Sequence, residues 1–151
     1  TRWINDSAPG FAFVNADEVA RDLPSELSRG ERDVRAGRLM LARLDSLVEA
    51  GKDLVLETTL SSLLYARRIP DWRSRGYRVD LIYVRLANVE ASLARVAHRV
   101  RQGGHGVAER DLRRRFPKSL TNLARYKSLV DSWQVWDSSD GEPILVERSD
   151  P

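Results

Sequence analysis

The sequence predicts an α/β domain in which a mainly parallel sheet is flanked by helices on both faces. Three observations predict it. Apolar runs of strand length alternate with stretches whose apolar residues recur at helical spacing. Strands separated by helices imply βαβ crossovers, which make their strands parallel neighbours. The 151 residues contain no internal repeat, low-complexity tract or linker-like stretch, so they suit one domain over 1–151 with its own core.

The elements follow in chain order. Residues 11–15 (FAFVN) read as a short buried strand, and a helix starts directly after it at 17–21. Over 31–50, Val34, Leu39, Leu41, Leu44, Leu47 and Val48 fall near helical spacing, and Gly51 ends that helix as a left-handed residue past its last turn. Residues 53–58 (DLVLET) form a second buried strand. A helix is expected over 61–75, kinked or ended early by Pro70, which lacks an N–H and clashes with the preceding turn. Gly76 turns the chain into a third strand at 78–86 (RVDLIYVRL). Asn88 caps a helix that runs to Val100, since its side chain accepts from an unpaired N–H of the first turn. Gly103 and Gly104 break that helix, and another runs over 108–130. Strands at 134–137 and 144–147, around a turn at Asp140-Gly141, close the sheet.

Composition excludes several chemistries. With no cysteine, disulfides, zinc–thiolate sites and thiol nucleophiles are ruled out. Two histidines argue against an all-histidine metal site, and no metal ligand is assigned. No apolar run reaches the length of a bilayer span, and residues 1–20 lack a basic-then-apolar leader, so a soluble, cytoplasmic domain with no membrane partner is expected. The net charge of +3 is unevenly spread. Between Arg95 and Arg125 nine basic residues face two acidic ones, a local balance of +7 that leaves −4 for the rest of the chain. Arginine dominates, and base composition of the genome is the plain explanation, but clustering in one segment points to an anionic ligand.

Ligands of open α/β sheets bind beyond the carboxyl ends of the strands. Three places qualify: Asn15 with Asp17, Glu57 with Thr58 and Thr59, and Ala87 with Asn88. A carboxylate at Asp17 suits a general base that takes a proton from a substrate hydroxyl, as phosphoryl transfer requires. The plainer reading makes Asp17 a helix cap, and likewise makes Thr59 or Ser61 the cap of the helix after 53–58. Glu57, Thr58 and Thr59 offer one carboxylate and two hydroxyls to a hydroxylated ligand. Residues 99–116 (RVRQGGHGVAERDLRRRF) place Arg99, Arg101, Arg114 and Arg115 around a glycine hinge, the composition of a mobile lid that neutralises phosphate charge. The alternative is a solvated helix pair whose buried face is Val107, Leu112, Phe116, Leu120 and Leu123.

Taken together, FVNADEVA, RAGRLMLARLDSLVEAGKDLVLETTLS, RVRQGGHGVAERDLRRRF and the terminal W-x-V-W-D-S-S resemble the zeta-toxin-like P-loop kinases, over nearly the whole chain and in family order. The resemblance implies a nucleoside-triphosphate kinase fold and an ATP- and Mg²⁺-dependent phosphotransferase, with UDP-N-acetylglucosamine as the founding members' acceptor. It implies that Asp17 is the catalytic aspartate, that Glu57 and Thr59, with Thr58 beside them, hold the substrate, and that Arg99, Arg114 and Arg115, with Arg101 as a further phosphate contact, form the basic lid. One feature departs from the family pattern. No G-x-x-x-x-G-K-[ST] phosphate loop occurs in the chain, and Thr1-Arg2-Trp3-Ile4 reads as the middle of the helix that should follow it. The expectation is a sequence missing its first strand and phosphate loop, inactive by itself, with natural loss of the loop as the alternative. A loop-less relative would instead be a protein-binding module, with an antitoxin as partner. Nucleic-acid binding is disfavoured, because Phe116 is the only aromatic interleaved with the basic segment and it fits the buried face.

Overall fold

A computed structural model describes residues 10–16, 19, 23, 28–103, 106–139 and 141–150. It divides the chain into two compact units, residues 1–58 and 59–151.

The described elements of the first unit form a βαβ crossover. β1 (Ala12–Val14) pairs in parallel with β2 (Leu54–Leu56), Phe13 opposite Val55. α1 (Arg29–Glu49) connects them. Its start is a capping box: Ser28 Oγ accepts from Glu31 N–H and the Glu31 carboxylate accepts from Ser28 N–H, so two orphan donors are satisfied reciprocally. Ala36, Met40, Leu44 and Val48, one residue per turn, form its buried stripe, and Leu44 and Val14 have no exposed surface. At the other end Gly51, with φ 64°, lets its own N–H reach the Val48 carbonyl and Lys52 N–H reach the Leu47 carbonyl. That is a Schellman stop, where a side chain at Gly51 would be strained.

The second unit holds a mixed sheet in the order β3-β4-β5: β3 (Asp80–Arg85) parallel to β4 (Ser132–Asp137), and β4 antiparallel to β5 (Ile144–Arg148). Between β3 and β4 run α3 (Val89–Arg101), capped by Asn88 Oδ1 on Ala91 N–H at 2.9 Å, and α4 (Glu109–Lys127). Tyr83 and Val135 are buried on one face of the sheet, and the Tyr83 hydroxyl meets Ser119 Oγ of α4 at 3.0 Å. On the other face Ile82 and Val84 are 45% and 51% exposed.

The described strands form a parallel pair in one unit and a mixed three-stranded sheet in the other, so the expected single, mainly parallel sheet is not confirmed. Two expectations need correction. The helix expected over 61–75 is confined to α2 (Ile69–Ser74). Pro70 sits in its first turn, where a missing N–H leaves no hydrogen bond unmade, so the proline starts the helix instead of kinking it. Finally, the buried face of α4 is not purely apolar: Leu120 is 43% exposed, while Ser119 and Tyr126 are buried.

No helix among the described residues is long and apolar enough to cross a membrane.

Candidate functional site

The carboxyl end of the β1–β2 pair brings two of the predicted polar residues together. Parallel register sets the residues after Val14 beside those after Leu56, and Glu57 N–H extends the ladder to the Val14 carbonyl at 3.0 Å. There Asn15 Nδ2 donates to Glu57 Oε2 at 2.6 Å. A charged acceptor makes this a strong, short hydrogen bond, and it orients the carboxylate at an exposed strand end. Thr58 follows, also exposed. Past β1, Val19 N–H donates to the Asn15 carbonyl at 3.3 Å. Asp17, the expected base, lies outside the described residues.

The second unit opens with Thr59, and the segment after it is tightly specified. Thr59 Oγ1 and Ser61 Oγ share a hydrogen bond at 2.9 Å. Between them Leu60 is only 4% exposed and has φ 51°, a left-handed conformation that costs a leucine about 1–2 kcal/mol. Two side chains of α4 hold the flanking carbonyls: Asn122 Nδ2 donates to Leu60 O at 2.8 Å and the Tyr126 hydroxyl donates to Ser62 O at 2.7 Å. These bonds span 62 and 64 residues, so neither was visible as a local motif. The available signal was the spacing of Ser119, Asn122 and Tyr126 along one face of the helix, beside the apolar face read as buried. Burial raises the Tyr126 phenol above its ordinary pKa, which keeps it a neutral donor.

The arginine segment forms the helix pair α3–α4. Arg113 joins the two helices by ion pairs to Glu109 at 2.8 Å and to Glu90, the second residue of α3, at 2.9 Å. Arg114 pairs with Asp111 at 3.1 Å and is 61% exposed. Arg115 is half-buried and has no ion pair among the described residues. Arg99 and Arg101 lie on the last turn of α3, before Gly103 with φ 81°. At about 1.5 Å per residue, Arg99 is about 14 Å along the helix from Glu90, so the two arginine groups sit at different levels of the pair.

A third polar cluster closes the β3–β4 strand ends, and sequence reading assigned it no role. Arg85 and Asp137 face each other in register and pair at 2.9 Å. Asp137 also accepts from the Ser139 hydroxyl and N–H, and these bonds, more than the Arg85 guanidinium, hold its carboxyl below the usual range. Arg95 of α3 donates to the buried Ser138 through its hydroxyl at 2.8 Å and its carbonyl at 3.1 Å. Asn88, at the third predicted strand end, is the cap of α3. Among the described residues no three His, Cys, Asp or Glu side chains are grouped so as to hold a metal ion.

Comparison with known proteins adds two similarities. The family model described as Zeta toxin matches residues 25–140. A protein of Haemophilus influenzae, described only as "Uncharacterized protein", is 29% identical over 96 residues, which cover 64% of this chain and 68% of the relative. No solved structure matches.

Proposed function

The chain belongs to the Zeta toxin family, which is related to P-loop kinases, and from that premise we propose that the protein is an ATP-dependent phosphotransferase acting on a hydroxyl of a small molecule, with UDP-N-acetylglucosamine the first acceptor to test. The observation that carries the reading is the Glu57 carboxylate, oriented by Asn15 at the carboxyl end of a parallel strand pair, where α/β folds bind their ligands. An oriented carboxylate accepts hydrogen bonds from sugar hydroxyls, and Thr58 and Thr59 add hydroxyls that both donate and accept. Asp17 takes the proton from the attacking hydroxyl. Arg99, Arg101, Arg114 and Arg115 neutralise charge on the phosphate oxygens through guanidinium forks.

ATP supplies the transferable phosphoryl group. The arginines suit its phosphates, but the chain contains no G-x-x-x-x-G-K-[ST] loop to cradle them. These 151 residues alone are expected not to turn over, so the test uses the full-length protein. There Glu57→Gln should raise the acceptor KM about tenfold or more, the scale of a charged hydrogen bond, with the ATP KM unchanged. Absence of ATP-dependent transfer to UDP-N-acetylglucosamine and to other small hydroxyl acceptors would overturn the proposal.

A further inference from the structure

Leu60 is the only non-glycine residue with a left-handed backbone among the described residues, and it immediately follows Thr59. Its φ sets how the peptide from Thr59 is turned relative to the rest of Leu60, and across it the Thr59 hydroxyl is tied to Ser61 Oγ at 2.9 Å. A buried leucine keeps such a backbone only where its neighbours over-determine it. Here the carbonyls of Leu60 and Ser62 are each held by a side chain of α4, Asn122 and Tyr126.

Those two side chains belong to a stripe. Arg115, Ser119, Asn122 and Tyr126 are spaced by four, three and four residues, which places them on one face of α4. Ser119 meets Tyr83 of β3, and Asn122 and Tyr126 hold the Thr59–Ser62 segment. Arg115 lies about 10 Å farther toward the start of the same helix than Asn122. A single helix thus carries both an arginine of the basic segment and the two grips on the threonine segment.

We infer that Asn122 and Tyr126 are positioning residues for the acceptor. They touch neither substrate nor phosphate; they hold Leu60 left-handed and thereby fix the Thr59 hydroxyl relative to Arg115. Without them Leu60 relaxes to negative φ, and Thr59 turns away. This role rests on the phosphotransferase reading, while the grip itself does not.

The experiment separates the two. Tyr126→Phe removes one oxygen and keeps the ring, so the buried packing survives; Asn122→Asp sets a carboxylate against the Leu60 carbonyl. In both variants, amide exchange across residues 60–64 should accelerate about tenfold or more, with β3 and β4 amides unchanged. In the intact enzyme, the KM for UDP-N-acetylglucosamine should rise about tenfold or more while the ATP KM stays constant. Asn122→Gln, which keeps an amide donor, should recover part of the loss. Unchanged exchange over 60–64 in Tyr126→Phe would overturn the grip. Faster exchange with an unchanged acceptor KM would overturn the positioning role. Should the wild-type protein transfer no phosphate at all, the kinase reading fails and the positioning role with it, and the exchange result alone then judges the grip.

Discussion

Asp137 shows what a single residue contributes and why it was hard to read. It belongs to the W-x-V-W-D-S-S segment, whose sequence carried a family resemblance but no role, because its ionic partner Arg85 is 52 residues away. Its local partner Ser139, two residues on in an Asx-type turn, is the larger cause of its lowered pKa. Asp131 is lowered in the same way, first by Val79 N–H and then by Arg73. A carboxylate whose pKa is lowered by folding binds fewer protons in the native than in the unfolded state, so its contribution is present above the ordinary value, about pH 4, and is lost as pH falls through the folded value. Urea midpoints should therefore be flat near neutrality and fall below about pH 4, and Asp137→Asn should lose less over that acid range than the wild type. Equal acid loss in the variant would show that the Ser139 and Arg85 bonds do not favour the charged form in the folded protein.

Helices and strands governed by local chemistry were the most legible elements. The Gly51 stop, the Asn88 cap and the order of the strands all follow from short-range pattern, and each is present. The stretch 61–68 was less legible: at its start the Leu60 and Ser62 carbonyls accept from Asn122 and Tyr126, more than 60 residues along the chain. The same helix α4 sharpens the reading of the basic segment. Arg115 lies on the stripe with Ser119, Asn122 and Tyr126, whereas Arg114 falls in line with Lys118, Thr121 and Arg125, all exposed. Arg115→Ala should lower kcat about a hundredfold or more with little change in KM, as loss of a contact that strengthens with developing charge does. Arg114→Ala should cost less, since its guanidinium is paired with Asp111 and mostly exposed. Lysine at position 115 should recover only part of the rate, keeping the charge and losing the fork. Steady-state kinetics of the three variants decide it; equal effects at the two positions would contradict the assignment.

At the scale of the whole molecule, sequence reading recovered the family and the α/β class, while a single, mainly parallel sheet is not confirmed. Alternation of strands and helices reports that crossovers exist; it does not report which strands become neighbours, and the chain forms a parallel pair in one unit and a mixed three-stranded sheet in the other. The site divides likewise. Glu57 and Asn15 meet as strand-end geometry requires, while the grips on Thr59–Ser62 come from far along the chain. Under the proposed function the protein moves a phosphoryl group to a small-molecule hydroxyl, with Asp17 as base. The direct measurement is ³¹P NMR of the intact protein with ATP, Mg²⁺ and UDP-N-acetylglucosamine. A phosphomonoester resonance should grow as the γ-phosphate signal declines, and Asp17→Asn should slow its growth about a hundredfold or more. No new phosphomonoester with any small hydroxyl acceptor, or an Asp17→Asn rate equal to wild type, would contradict the account.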